Sequence, residues 1–532
     1  MDARIAHCPN ITRILASTNI RTGPAFRDDT WRRRTEIRLR GKSVPTSGKP
    51  SSRPGRTEAQ SVSSACSTVL MILRKAMEHI SGTDTSSQPG ESSGTGQFAK
   101  VLSFRDLVIY GIVFVAPIAP WGTFAYVYDL SGHAAVAAYV IGVVCMYFTA
   151  HSYKEICTQV PSSGSVYAYV RHAMGVGPGF IAGWMVLLDY LLIPALMYVI
   201  AGVALNTFLP DIPRWVWVLV FAGFSLAVNW FGIAFTARVN ILFLVVQLVA
   251  VAGFLGWAVL KLKANGESAF PFSTLWSPGV TASGLFAGTS ICILAFIGFD
   301  AITTLTEEVK PCQKHLIGRS IVVVLLFIGA VAVLQSWVLS ALSKGFAFKD
   351  LASGVYDLTG ARVSPAAGVI MAWTAATVTG IAITPPMLAA VSRVLCAMAE
   401  GGQMPKFLTA LHKRHQVPHR ALLVSTALSV AIALIFAAHP DELTGIVNFG
   451  ALCAYVGVHL SVLVLLGFRR RSGRWFAHVL CPIAGIVIIV AVATQMTSTA
   501  LELGFGWMVF GILYYIALKA FRKSALDVEV PI

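Results

Sequence analysis

Charged side chains are scarce in this chain of 532 residues. Only 12% of the residues are charged, whereas 56% are hydrophobic, and the mean hydropathy is +0.70. Soluble domains carry roughly 25% charged residues, so the composition argues against a soluble fold. The apolar residues come instead in blocks close to the ~20 residues that a helix needs to cross a bilayer. The composition therefore predicts an all-α polytopic membrane protein.

Other features that would mark an enzyme or a metalloprotein are also missing. The nine cysteines show no spacing typical of a zinc site or a redox pair, so we expect no metal and no cofactor. A membrane enzyme needs His, Asp or Ser residues clustered at one membrane depth, and no such cluster is evident. The net charge of +16 comes partly from the N-terminal region and is weak support for nucleic acid binding, which we do not expect.

Hydropathy predicts about twelve spans. They lie at roughly 107–128, 134–157, 179–206, 214–232, 239–261, 283–304, 318–342, 365–398, 420–437, 443–467, 476–495 and 504–521. One alternating set of connections holds most of the Lys and Arg residues. The other set holds only Arg214, Lys261, Lys263, Lys344, Lys349 and Arg362. Because cytoplasmic loops carry the excess of positive charge, both termini are predicted to be cytoplasmic.

The region before the first span has a different composition. Residues 1–98 are rich in Ser, Gly, Pro and Arg, which predicts a disordered basic cytoplasmic tail ahead of a transmembrane domain at 99–525. The alternatives are a targeting segment, which the acidic residues disfavour, and an over-long gene start. We favour a true start at Met71 or Met77, so that residues 1–76 are not translated.

Two membrane-length segments are interrupted in the middle. Residues 107–128 contain Ala-Pro-Ile-Ala-Pro at 116–120, and residues 285–304 contain Ile-Gly-Phe-Asp at 297–300. Backbone groups left unpaired in hydrocarbon are costly, so such breaks persist only where they line protein or an aqueous cavity. A solute site is the usual reason. The alternative is a simple proline kink and a tolerated glycine.

The two breaks also organise the chain into repeats. The first opens five spans at about 103–263 and the second opens five at about 280–468, followed by peripheral helices at about 474–521. A repeat with an odd number of crossings places its second copy upside down, so the breaks meet near the midplane. Their free amides and carbonyls suit a zwitterion or an organic amine.

Ionisable residues inside spans are candidates for function because they are costly to bury. Asp189 lies well inside the third span, where it either faces the cavity beside Tyr190 or bonds to a neighbouring helix. Asp300 either caps the continuation of the sixth span, which we favour, or faces the site.

Further polar and aromatic candidates lie near these acids. Glu307 and Glu308 are expected to pair with Arg393 or Lys154 as an inner gate, or else to form a solvated helix end. Trp121, Phe296, Phe299 and Tyr455 either cover a substrate ammonium by cation–π contact or simply pack. The Pro385-Pro386 pair is expected to kink the eighth span, with Thr377, Thr379 and Thr384 satisfying the freed carbonyls.

Several segments resemble the amino acid–polyamine–organocation permeases. "LAFIGFDAITTLTEEVK" at 294–310 is similar to the sixth-helix signature of this superfamily, "PSSGSVYAYVRHAMG" at 161–175 to its second-to-third helix loop, and "TARVNILFLVVQL" at 236–248 to its fifth-helix start. "GWMVLLDYLLIP", "VNFGALCAYVGVHLSV" and "STALELGFGW" are similar to the bacterial putrescine importers. The resemblance covers about residues 103–521.

The resemblance implies a leucine-transporter-like 5+5 inverted repeat with broken helices 1 and 6. It places the substrate at Pro117, Ile118, Ala119, Trp121, Gly122, Thr123, Phe296, Ile297, Gly298, Phe299 and Asp300. Walls are expected from Asp189, Tyr190, Thr377, Thr384 and Tyr455. Two positions depart from the family. Gln247 stands where many proton-coupled members have a lysine, and Gly122 where the putrescine importers have an acid.

The implied function is secondary active import of amino acids or related organic amines, coupled to protons, across the plasma membrane. A bacterial inner membrane is expected. Import of putrescine or another polyamine is the first alternative, and a nutrient sensor that binds without transporting is the second. Gln247, Glu307, Glu308 and Arg393 are the candidates for coupling or gating.

Overall fold

The computed structural model describes residues 102–521, apart from 163, 207–210, 232, 277–278, 403, 413–414, 416 and 438–439. Over these residues the fold is all-α. It contains no strand, only an isolated parallel bridge between Leu102 and Val309. The tail predicted at 1–98 lies outside the described residues. The expectation of an all-α protein is confirmed for the described part of the chain.

The described residues up to 264 contain seven α-helices. They are α1 Phe104–Val115, α2 Pro120–Leu130, α3 Ala135–Cys157, α4 Ser165–Met174, α5 Val176–Asn206, α6 Arg214–Trp230 and α7 Ile233–Ala264.

The described residues from 282 onward contain nine α-helices. They are α8 Ala282–Cys292, α9 Ile317–Leu342, α10 Gly354–Arg362, α11 Pro365–Thr377, α12 Thr384–Glu400, α13 His419–Ile435, α14 Pro440–Val462, α15 Cys481–Ala493 and α16 Ser498–Phe521. Tighter 3₁₀ turns at Ile293–Ala295, Phe299–Glu308 and Pro311–Leu316 follow α8. Wider π turns at Val378–Ile383, Leu463–Arg469 and Phe476–Leu480 join or extend other helices.

Length and apolarity identify the helical segments that can cross a bilayer. Within the described ranges, nine segments qualify, or ten if the bent pair of α1 and α2 counts as one span. Two shorter apolar helices, α6 and α13, have 17 residues each. The protein is therefore an integral membrane protein with many spans.

The first predicted break is confirmed between α1 and α2, which together form the first broken span. Ala116 ends α1 with a φ of 66°, which a residue with a side chain rarely adopts. Pro117 has no N–H to continue the ladder, and Pro120 starts α2 at the first helical position, where its missing N–H costs nothing. The two helix axes differ by 53°.

The second predicted break is confirmed within 282–308, the second broken span. The helix α8 ends at Cys292, and Gly298 adopts a φ of 112° before the 3₁₀ segment Phe299–Glu308 begins. A β-carbon on Gly298 would lie 2.4 Å from Cδ1 of Phe114, so only glycine fits. Since Phe114 belongs to α1, the two breaks pack against each other in the interior.

The connection between α11 and α12 is also irregular, and prolines again lie beside the irregular turn. A π turn at Val378–Ile383 joins these helices, and Pro385 and Pro386 fall in the first turn of α12. The distortion expected from the proline pair thus takes the form of a π turn just before it. Oγ1 of Thr384 donates 2.8 Å to the carbonyl of Gly380, and Nδ2 of Asn229 donates 2.8 Å to that of Pro385. Side chains thereby satisfy carbonyls that the irregular backbone leaves free.

Candidate substrate site

A cavity lies beside both breaks. Its empty volume is about 640 Å³ with its opening included. Its walls come from both broken spans, from α5, α10, α11 and α12, and from the π turn before α12. The lining residues are Val115, Ala116, Ile118, Ala119, Trp121, Gly122, Thr123, Ile193, Met197, Ile200, Leu294, Ile297, Tyr356, Ala375, Thr379, Ile383 and Met387.

Few polar groups reach this cavity. Thr123 lines it, and the hydroxyls of Thr123 and Tyr139 share a hydrogen bond of 2.8 Å. The indole N–H of Trp121 is buried and has no hydrogen-bond partner among the described residues. Thr379 and Tyr356 add hydroxyl groups. The remaining wall is aliphatic, and none of the described lining residues is an Asp, Glu, Lys, Arg or His.

A second cavity continues the first along the chain direction of α2. The two share Gly122, Thr123, Ile200, Leu294 and Tyr356. The second extends past the C-terminal half of α2 to the start of α14, and its empty volume is about 660 Å³ with its opening included. The first cavity therefore has a route toward one face of the protein.

A buried carboxylate and three tyrosines lie next to the second break. The hydroxyl of Tyr190 donates 2.5 Å to Oδ2 of Asp300, that of Tyr153 donates 3.5 Å to the same oxygen, and that of Tyr455 donates 3.4 Å to Oδ1. These tyrosines come from α5, α3 and α14 respectively. Phe299 stacks on Tyr455 with ring centroids 5.8 Å apart. Side chains from three separate helices thus donate hydrogen bonds to the carboxyl group of Asp300, in the interior of the second broken span.

The preferred sequence assignment for Asp300 was wrong. Gly298 occupies the N-cap of the 3₁₀ segment, and no side chain caps it. Asp300 lies two positions after this N-cap, as the second residue of the segment, and its carboxylate accepts hydrogen bonds from the tyrosines instead. The cap interpretation failed because a side chain at this position finds donors on other helices.

Asp189 is buried close to this cluster. It is 2% exposed, and its Oδ1 has no hydrogen-bond partner among the described residues. Its neighbour in the chain, Tyr190, is hydrogen-bonded to Asp300. A β-carbon at Gly450 of α14 would approach the Asp189 backbone nitrogen to 2.9 Å, so α5 and α14 pack closely here.

Helix geometry relates the two acids to the cavity. Asp189, Ile193, Met197 and Ile200 are spaced for one face of α5, and the last three line the cavity. Asp189 therefore lies one turn, about 5.4 Å along the axis, below the cavity wall. Asp300 likewise follows the lining residue Ile297 by three positions. Both acids therefore lie close to residues of the cavity wall, but they are not lining residues themselves.

The predicted site residues therefore fall into separate groups. Ile118, Ala119, Trp121, Gly122, Thr123 and Ile297 line the cavity. Asp189, Tyr190, Phe299, Asp300 and Tyr455 form the buried cluster below it. The carbonyl of Pro117 accepts 2.9 Å from Nε2 of Gln335, and Phe296 meets Tyr139 edge to face. Thr377 is not among the lining residues; Thr379, two positions later, takes its place. Thr384 is buried on the same wall, where its hydroxyl meets that of Ser225 at 2.5 Å.

Two of the four gate candidates form an ion pair. Nη2 of Arg393 lies 3.0 Å from Oε1 of Glu308, and both side chains are buried. Glu307 is only partly buried. Gln247 is fully buried in α7, and neither amide atom has a hydrogen-bond partner among the described residues. The structure therefore brings Glu308 and Arg393 together as an ion pair. Gln247 takes no part in that pair.

Sequence reasoning missed several residues of the site. Ile193, Met197, Tyr356 and Met387 line the cavity, but apolar positions in apolar helices carry no signal that separates wall from core. Tyr153 was missed because it lies far from Asp300 in the chain. Its position on an otherwise apolar face of α3 was the only available sign.

These features define a class of protein. A many-span membrane protein with two broken helices beside an interior cavity has the architecture of a solute transporter, not of an enzyme. The chain belongs to the amino acid permease family, whose pattern matches residues 114–518.

Known relatives extend over most of the chain. It is 27% identical over 446 residues to the low-affinity putrescine importer PlaP of Escherichia coli, covering 81% of this chain and 97% of that protein. It is 26% identical over 451 residues to the branched-chain amino acid permease BcaP of Bacillus subtilis, covering 78% and 90%. It is 27% identical over 417 residues to the vacuolar cationic amino acid transporter 2 of Arabidopsis thaliana, covering 71% and 61%. The protein is a permease for amino acids or amines.

Proposed function

We propose that this permease imports amino acids with apolar side chains across a bacterial inner membrane by alternating access, driven by protons. The observation that carries the substrate class is the cavity wall. Its described residues are mostly aliphatic and include no carboxylate. A diamine needs an acid for its second ammonium, because a buried charge without a partner is costly.

The breaks supply the groups that an α-amino acid requires. The N-terminus of α2 points backbone amides and a positive partial charge at the first break, which suits the substrate carboxylate. The C-terminal carbonyls of α8 suit its ammonium. The aliphatic wall from Ile193, Met197 and Met387 then receives the side chain. Each part of such a substrate meets a group of matching polarity.

We further infer twelve spans in a 5+5 inverted repeat, and the helical segments support this count. Nine long segments, the bent pair and the two shorter helices α6 and α13 make twelve. In this arrangement both termini are cytoplasmic, as the Lys and Arg distribution predicts. The second cavity then leads outward, and the Glu308–Arg393 pair lies on the cytoplasmic side of the site. The described conformation would be open outward and closed inward.

Uptake into proteoliposomes tests the proposal. With an inward proton gradient, we expect accumulation of radiolabelled leucine or isoleucine. Excess unlabelled valine should compete, whereas excess putrescine or lysine should not. Competition by putrescine alone would overturn the substrate class.

Import of a polyamine remains the alternative, since the putrescine importer PlaP is among the relatives. Strong putrescine accumulation with no effect of leucine would favour it. A sensor function would appear as leucine binding in detergent with no accumulation in proteoliposomes under any gradient.

A further inference from the structure

Two carboxyl groups lie in the interior of this permease without a cation. Asp189 and Asp300 are each 2% exposed, and no ion pair involving either is found in the described part of the chain. Asp189 adjoins Tyr190, whose hydroxyl donates to Asp300, so the two acids lie in one buried region. Two like charges in such a region repel each other and are poorly solvated, which disfavours the ionisation of both together. The pair therefore holds one proton when no cation is present.

The hydrogen bonds distribute this proton unequally. Asp300 receives all three tyrosine hydroxyls, which stabilise a negative charge on it. Oδ1 of Asp189 receives no donor from the described residues. In this conformation Asp300 is the better place for the charge and Asp189 for the proton. Among the described residues, Tyr169 of α4 also lies near Asp300, and it is not a cation.

The position of the pair connects it to movement. Asp300 belongs to the second broken span, whereas its tyrosine partners belong to α3, α5 and α14. A change of protonation alters the hydrogen bonds between the broken span and its neighbours. The cavity wall at Ile193 lies one turn of α5 from Asp189, so the path of a proton between the cavity and the pair is short.

We propose that Asp189 and Asp300 together bind the coupling proton of this permease, in place of the titratable group that Gln247 cannot provide. The inference rests on the proton-driven import proposed above. The proton comes from the outside through the second cavity and binds to the carboxyl pair when the substrate binds. It leaves to the cytoplasm when the second broken span moves away from Tyr153, Tyr190 and Tyr455. No bond other than the O–H bond forms or breaks.

Two measurements on the full chain in proteoliposomes separate coupling from binding. A trapped pH-sensitive dye reports proton entry when external leucine is added. Counterflow, the exchange of radiolabelled for unlabelled leucine without any gradient, reports binding and movement alone. The variants are Asp300→Asn and Asp189→Asn, which keep the size of the side chain but cannot release a proton. The control is Asp129→Asn, at an exposed acid of α2.

We expect each of the two buried variants to lose leucine-induced proton entry by at least about tenfold while counterflow stays within about threefold of the unmodified protein. The control should keep both activities. Asp300→Glu should restore part of the proton entry. Unchanged proton entry in both variants would overturn the proposal. Loss of counterflow in parallel with proton entry would also overturn it, because the acids would then hold substrate or structure. If the unmodified protein shows no leucine counterflow, the proposed function itself fails.

Discussion

Glu308 and Arg393 form an ion pair with 3.0 Å between their closest charged atoms, and side-chain exposures are only 4% and 8%. The pair joins the end of the second broken span to α12. Arg393 has a further nitrogen, Nη1, that is buried without a hydrogen-bond partner among the described residues. The pair is thus a buried polar contact between these two elements.

Removing one partner of this pair should destabilise the closed conformation. Glu308→Gln leaves the Arg393 charge buried and uncompensated, at a cost of about 3–5 kcal/mol. We expect a lower melting temperature in detergent and a loss of leucine uptake. The double change Glu308→Leu with Arg393→Leu should recover the melting temperature without recovering uptake, since a gate must break and reform. Glu502→Gln, at an exposed acid of α16, is the control. Full uptake by the double variant would show that the pair is structural only.

The second break should not tolerate a side chain at Gly298. Gly298→Ala places a methyl group 2.4 Å from Cδ1 of Phe114 and requires a φ of 112° that alanine rarely adopts. We expect uptake to disappear while the protein still reaches the membrane, because the change acts on one turn. Gly253→Ala in α7 is the matched control, since nothing lies within 4 Å of its new carbon. Normal uptake by Gly298→Ala would contradict a fixed break.

The sequence predicted the broken spans because their cause is local. Prolines at 117 and 120 cannot donate backbone hydrogen bonds, and a glycine at 298 permits a left-handed turn, so the interruption is visible in the residues themselves. The same holds for the apolar length of the spans. Contacts between residues that are far apart in the chain leave no such local sign. Sequence analysis therefore found the breaks and missed these contacts.

Asp300 illustrates the limit. Its place after a glycine suggested a helix cap, but its three hydroxyl donors lie 110 to 155 residues away in the chain. Their convergence depends on how α3, α5 and α14 pack. The cavity wall at Met197 and Met387 was missed for the same reason, because packing alone decides which apolar side chains face a void.

A carboxylate placed at the first break should change the substrate. Gly122 lines the cavity, and a β-carbon there would meet nothing within 4 Å. Gly122→Asp supplies the acid that the present wall lacks, and a hydrogen bond to a charged group contributes about 1.5–3 kcal/mol. We expect putrescine to begin to inhibit leucine uptake, with an apparent affinity improved about tenfold or more. Gly122→Asn has nearly the same shape and is the control. Equal inhibition by putrescine in both variants would show that charge at this position does not select the substrate.

The substitution of glutamine by leucine is expected to have opposite effects on stability at two buried positions. Neither amide atom of Gln247 has a partner among the described residues, whereas Nε2 of Gln335 donates 2.9 Å to the carbonyl of Pro117 at the first break. Gln247→Leu removes an unpaired amide, whose burial costs about 1–3 kcal/mol. It should therefore raise the melting temperature and keep proton-driven uptake.

Gln335→Leu instead leaves the Pro117 carbonyl without its donor, so it should lower the melting temperature and reduce uptake. Both measurements use the protein in detergent and in proteoliposomes under an inward proton gradient. Loss of proton entry in Gln247→Leu would return the coupling role to α7 and count against the carboxyl pair. Unchanged stability in Gln335→Leu would mean that the first break holds its shape without this side chain, through its prolines alone.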